Sequence, residues 1–210
     1  MKIPFSDTEI AFRLKSNAEL YQDYLLFKLI GSPALVSVGA KVIQTLNKTP
    51  LPFELFLKAG LFHHFCGGET AKDCMDLVRK LSKYQIGTIL DYSVEAAQDE
   101  SVFNATENEI LSTLTFASQT PYIPFSVFKI TGLARFKLLK KLHQKEPLTE
   151  NEHQEWDKVV LRVRNIIQKA NRLKIRILID AEESWIQSPI DDLVENLMKE
   201  FNQKEPIVFH

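Results

Sequence analysis

Cysteine is scarce. The 210 residues contain only Cys66 and Cys74, too few for a disulfide framework, and their spacing lacks the second ligand pair of a zinc site. Charge of one sign is also lacking. The 26 basic and 27 acidic residues leave a formal net charge of −1, so no global field recruits nucleic acid or anionic lipid, and no nucleic-acid partner is expected. Charge interrupts every apolar run within about a dozen residues, well short of a membrane span. The stretch Met1–Asp7 shows no apolar segment with a small-residue cleavage site, so the reading is a cytoplasmic address. There is no Gly/Ser linker, low-complexity tract or internal repeat. What is present is 45% apolar composition, enough for a substantial core in one domain or at most two.

Apolar spacing predicts helices over Asp7–Leu14, Asn17–Ile30 and Ser32–Leu46, with Gly31-Ser32-Pro33 as a break. Asn47–Pro52 reads as a loop, Phe53–Gly60 as a short helix and Phe62–Glu69 as irregular or weakly extended. After this lead-in, helix and strand alternate. Helices are expected over Glu69–Tyr84, Phe103–Ser118, Leu133–His143, Glu150–Arg172 and Ile190–Phe201. Strands are expected over Gly87–Tyr92, Phe125–Lys129, Ile175–Asp180 and Pro206–Phe209. Thr149 and Glu152 match a capping box for the long helix. The alternation argues for an α/β fold of parallel βα units, divided into a helical region 1–61 and βα units over 62–210.

Three runs share one design, an unbroken apolar strand ending in charge: Gly87–Glu95, Pro124–Gly132 and Ile175–Glu183. Parallel strands buried on both faces read this way, and α/β proteins keep their chemistry at strand C-terminal ends. Asp91, Glu95, Lys129, Asp180 and Glu182 are therefore candidates for one site. Lys129 could bind a substrate carboxylate, act as an amine nucleophile, or only pair with a neighbouring carboxylate. Asp180-Ala181-Glu182-Glu183 could serve as base, acceptor or metal ligand; metal is the weakest choice, and Glu183 defaults to solvent. Asp91 and Glu95 could equally cap a turn or helix. Adjacent His63 and His64 diverge and so do not suggest a joint metal site, and no metal is expected. Gly67-Gly68-Glu69-Thr70 lacks the spacing of a phosphate-binding fingerprint. Trp156, Trp185 and the fourteen phenylalanines read as core.

Taken in order, Phe65–Glu69, Leu90–Glu95, Val127–Leu133 and Ile179–Gln187 closely resemble the proline dehydrogenase family over roughly residues 5 to 209. The resemblance implies a distorted (βα)8 TIM-type barrel holding FAD, oxidation of L-proline to Δ1-pyrroline-5-carboxylate in proline catabolism to glutamate, and transfer of electrons to a membrane quinone. It further implies peripheral contact of the full-length enzyme with the inner membrane. Lys129 matches the lysine that helps hold the substrate carboxylate, and Asp180 the aspartate of an Asp-Ala-Glu motif that supports the site. Glu95 falls at an acidic gate of the pocket, with Asp91 beside it among substrate-binding candidates. The family's flavin-contacting residues and arginine pair are expected beyond His210, so the chain reads as an incomplete barrel, the N-terminal half of the enzyme, and inactive alone. Four strands cannot close a barrel of eight. Two other readings stay open: an inactive α/β fragment that self-associates through exposed sheet edges, and an aldolase-type barrel with Lys129 as a Schiff-base lysine.

Overall fold

The computed structural model describes residues 6–46, 62–92 and 98–210. The expected helix Phe53–Gly60 and the candidate Glu95 lie outside them. The chain divides into two compact units, Met1–Leu81 and Ser82–His210.

The first unit is helical: α1 (Thr8–Phe12), α2 (Asn17–Ile30), α3 (Pro33–Leu46), the single turn α4 (His63–Phe65) and α5 (Met75–Ser82). Local chemistry sets each start. Asp7 caps α1 by accepting from the Ile10 amide, and Ser16 and Glu19 form a reciprocal capping box on α2. Pro33 begins α3, where its missing N–H costs nothing. The irregular segment expected over Phe62–Glu69 instead contains α4, closed by the Cys66 amide on the Phe62 carbonyl at 2.7 Å. The helix expected from Glu69 starts only at Met75, because Thr70 and Asp73 bond each other's backbone and side chains in a turn first. Asp23 lies 2.6 Å from His64 Nδ1 and also pairs with Lys15, which is the first cause holding its carboxyl below the usual range. The His64 ring sits edge-on to Phe27 and Phe65. Among the described residues no single helix is long and apolar enough to cross a membrane; α2 and the first part of α3 have that length and composition only together, bent by 94°.

The second unit runs β1 (Ile89–Asp91), α6 (Glu100–Ser118), β2 (Phe125–Phe128), a 3₁₀ turn (Ile130–Gly132), α7 (Phe136–His143), α8 (Glu150–Leu173), β3 (Arg176–Ile179), α9 (Gln187–Phe201) and β4 (Val208–Phe209). Among the described residues all three pairings are parallel, in the order β1-β2-β3-β4, so the expected α/β alternation is what the chain builds. Three helix starts differ from expectation, the first being α6, which begins at Glu100 rather than Phe103, directly after Asp99 in extended backbone. Helix α9 begins at Gln187 rather than Ile190, since Pro189 falls in its first turn, where N–H groups have no helical partner. The helix expected from Leu133 starts at Phe136, because the 3₁₀ turn intervenes.

The two sheet faces differ. Side chains alternate along a strand, and register carries each parity across the sheet. Ser126, Phe128, Ile177, Ile179 and Val208 share the face buried against the helices. Of these, Phe128, Ile177, Ile179 and Val208 join Leu114 of α6, Leu139 of α7, Val163 and Ile167 of α8 and Ile190 and Val194 of α9 in one core. Each fully buried Leu or Ile contributes about 1.5–3 kcal/mol. The opposite face carries Ile89, Asp91, Phe125, Val127, Arg176, Leu178 and Phe209, all half-buried or exposed. There the Phe125 and Phe209 rings meet edge to face at 5.4 Å, with the Arg176 guanidinium over Phe125. Trp156 packs against the core, but Trp185 is 53% exposed, against expectation, because it lies in the loop before α9 rather than on an inward helical face.

Candidate functional site

Strand alternation assembles the site. Lys129 continues the parity of Phe125 and Val127, its backbone still extended at φ −107° and ψ 141°. Asp180 continues the parity of Arg176 and Leu178. The Asp180 amide donates to the Phe128 carbonyl at 3.1 Å, extending the β2–β3 ladder by one step. Lys129 and Asp180 therefore occupy matching positions on neighbouring strands, both half-buried, on the open face at the C-terminal end. Asp91 ends β1 on the same face, in register with Val127.

Polar links tie the strand tails together. Glu182 Oε1 accepts from the Thr131 amide at 3.1 Å and from the Thr131 hydroxyl at 2.8 Å. The Glu182 amide donates to Gln187 Oε1 at 2.6 Å, and Gln187 Nε2 donates to Asp191 Oδ1 at 2.7 Å. After β4, His210 Nε2 lies 2.8 Å from Asp191 Oδ1, and Nδ1 lies 3.0 Å from the Ile179 carbonyl. The Gln187 bond, and then that of His210, holds the Asp191 carboxyl below its usual range. Among the described residues the Asp180 carboxylate makes no hydrogen bond or ion pair, which leaves an acceptor facing the open side beside Lys129. Glu183 is exposed.

Of the sequence candidates, Asp91, Lys129, Asp180 and Glu182 thus gather at one end of one sheet. Thr131 and His210 join them through bonds that cross from one strand tail to the next, while Gln187 and Asp191 join through local bonds of the β3 tail and the first turns of α9. Among the described residues no group of three or more His, Cys, Asp and Glu could hold a metal ion. Cys66 and Cys74 are both free thiols, and Cys66 is exposed.

Comparison with known proteins follows the same lines. The family model for proline dehydrogenase matches residues 74–209. The chain is 26% identical to proline dehydrogenase 1, mitochondrial, of Dictyostelium discoideum over 97% of this chain and 42% of that protein. It is 24% identical to hydroxyproline dehydrogenase of Xenopus laevis over 99% of this chain and 52% of that protein. It thus spans about half, or less, of the length of these relatives. The crystal structure of proline utilization A from Bdellovibrio bacteriovorus, inactivated by N-propargylglycine, superposes with a TM-score of 0.57 at 14% identity, over 71% of this chain and 16% of that one. That likeness supports the α/β fold with its parallel sheet. With the family model covering residues 74–209 and the site motifs falling inside that span, the chain belongs to the proline dehydrogenase family.

Proposed function

We propose that this chain carries the carboxylate-binding part of a site that oxidises L-proline to Δ1-pyrroline-5-carboxylate. The observation that carries the reading is Lys129 beside Asp180 at the C-terminal end of two adjacent parallel strands, on the open face. There the Lys129 ammonium binds the substrate carboxylate, and the Asp180 carboxylate accepts a hydrogen bond from a polar group of the site and orients it. Val127 and Leu178 on the same face supply apolar surface that excludes water from the reacting ring. Asp91, and Glu95 outside the described residues, line the substrate side.

The residues present fit a flavin on one side: a flat conjugated ring needs apolar floor, here Val127, Leu178 and Phe125, and a polar edge, here Asp180 and Lys129. The flavin in this proposal is FAD, which when bound supplies the two-electron acceptor for a hydride from the substrate. A TIM-type barrel, with residues 1–61 as helical lead-in and 62–210 as its first βα units, belongs to the same reading, because only closure would cover the half-exposed face. So do a quinone acceptor and peripheral contact with the inner membrane; the exposed apolar side chains Tyr21, Leu25 and Leu29 of α2 support such contact.

Titration with L-proline, in the protein with its barrel complete, tests the assignment. Loss of a charge-assisted contact to a ligand costs about 1.5–3 kcal/mol, so Lys129→Ala should weaken binding about 10- to 150-fold. Asp180→Ala should lower turnover more than affinity, as positioning losses do. Unchanged affinity and turnover in Lys129→Ala would overturn the role, and borohydride trapping of an imine at Lys129 would transfer it to a Schiff-base lyase.

A further inference from the structure

Lys129 sits at the end of a strand, where a chain is free to fray, yet a substrate-binding ammonium needs a fixed backbone. The tail of β3 provides that restraint from both sides. One residue before Lys129, the Phe128 carbonyl accepts from the Asp180 amide at 3.1 Å. Two residues after it, the amide and hydroxyl of Thr131 both donate to Glu182 Oε1. Thr131 lies within the 3₁₀ turn that starts on Lys129, whose carbonyl accepts from the Gly132 amide at 3.2 Å. Asp180 and Glu182, two residues apart on one strand tail, therefore bracket Lys129 on the next.

Glu182 is itself held. Its amide donates to Gln187, and Gln187 donates to Asp191, the carboxylate that also meets His210 after β4. Thr131 is buried, so its two donors would lose water without gaining a partner if the carboxylate were removed. A carboxylate that accepts two donors from one turn and is fixed by a third contact is built to hold that turn. Its bonding oxygen is engaged with protein groups rather than aimed at the open face.

We propose that Glu182 is a positioning residue: its bond to Thr131 holds the Lys129 backbone where the ammonium meets the substrate carboxylate. This rests on the role given to Lys129 above. It separates the two acids of the Asp-Ala-Glu segment, Asp180 facing the site and Glu182 acting through Lys129.

Two measurements test it, hydrogen exchange on this chain and L-proline titration in the protein with its barrel complete. Amide hydrogen exchange reads the strap without any ligand. Glu182→Ala should speed exchange at Thr131 and Gly132 about fivefold or more, and Glu182→Gln, which keeps a carbonyl acceptor, should restore protection. L-proline titration reads the consequence. Glu182→Ala should weaken binding about 5- to 30-fold, Glu182→Gln should stay within about twofold of the parent, and Lys129→Ala/Glu182→Ala should bind no more weakly than Lys129→Ala alone. If the parent protein does not bind L-proline, or Lys129→Ala binds it as tightly as the parent, the assigned function fails while the exchange result still decides the strap. If Lys129→Ala weakens binding but Glu182→Ala changes neither exchange nor affinity, or the two losses add, the positioning role is overturned and the Lys129 assignment stands.

Discussion

Two arginines on α8 illustrate how environment decides what a residue contributes. Arg162 is buried, its guanidinium bonded to Asn104 at 3.0 and 3.1 Å, to the Leu133 carbonyl at 3.4 Å and to Glu100, and stacked over Phe103. It joins α6, α8 and the loop that follows the Lys129 turn. Arg164, two residues on, makes a bidentate pair with Glu200 at 2.6 and 2.8 Å, but the side chains are 40% and 45% exposed. Glu100 is 43% exposed, so removing Arg162 strands no buried charge but does lose charge-assisted hydrogen bonds at a buried site, about 1.5–3 kcal/mol, whereas an exposed pair contributes about 0–1 kcal/mol. Arg162→Ala should therefore lower unfolding stability by roughly the first amount and Arg164→Ala by the second, as read from urea midpoints. Equal losses would show that burial does not govern these two charges.

At the scale of elements, the long helix α8 starts on the capping box anticipated from Thr149 and Glu152. The Glu152 carboxylate does more than cap. Its hydrogen bond from Lys141 of α7, at 2.8 to 3.0 Å, comes first among the causes that lower its pKa from 4.5 to about 2, and the Thr149 amide second. A carboxyl whose folded pKa is depressed contributes stability that is fully present above its unfolded value and is lost as pH falls through the folded one. The window for Glu152 is therefore from about pH 4.5 down to about 2. Lys141→Met should make the acid limb of the stability profile shallower across that window and lower stability above it. Parallel curves for the two proteins from pH 7 to 2 would exclude the coupling. At its other end α8 stops at Lys174, left-handed at φ 58°, a position where glycine is usual. No glycine marked that stop in the sequence, but the break before Ile175 was legible from the onset of the β-type run.

For the molecule as a whole, the consequential feature is the asymmetry of the sheet. One face is sealed by α6 to α9, while the other leaves Ile89 44% exposed and Phe125, Val127, Leu178 and Phe209 half-covered. Contiguous apolar surface of this kind drives association. At micromolar concentration the chain alone should self-associate, and Val127→Lys or Leu178→Lys, which place charge on the open face, should shift it toward monomer. Light scattering checks this, and a monodisperse parent monomer at all concentrations would rule it out.

Local chemistry determined much of this protein in advance. Period-3.6 patterns, unbroken apolar runs, Gly31-Ser32-Pro33 and the Thr149 box placed most elements within a few residues, because those signals act between neighbours in the chain. Strand-end charge likewise singled out Asp91, Lys129, Asp180 and Glu182. What sequence could not assign was the division of labour among them, nor the bonds that Thr131 and His210 make. Those depend on register: only when β2, β3 and β4 lie parallel does Glu182 reach Thr131, 51 residues away, and His210 reach Asp191. Trp185 is exposed where hydrophobicity predicts burial, because it falls in the loop before α9 and packing decides which side chains find a core.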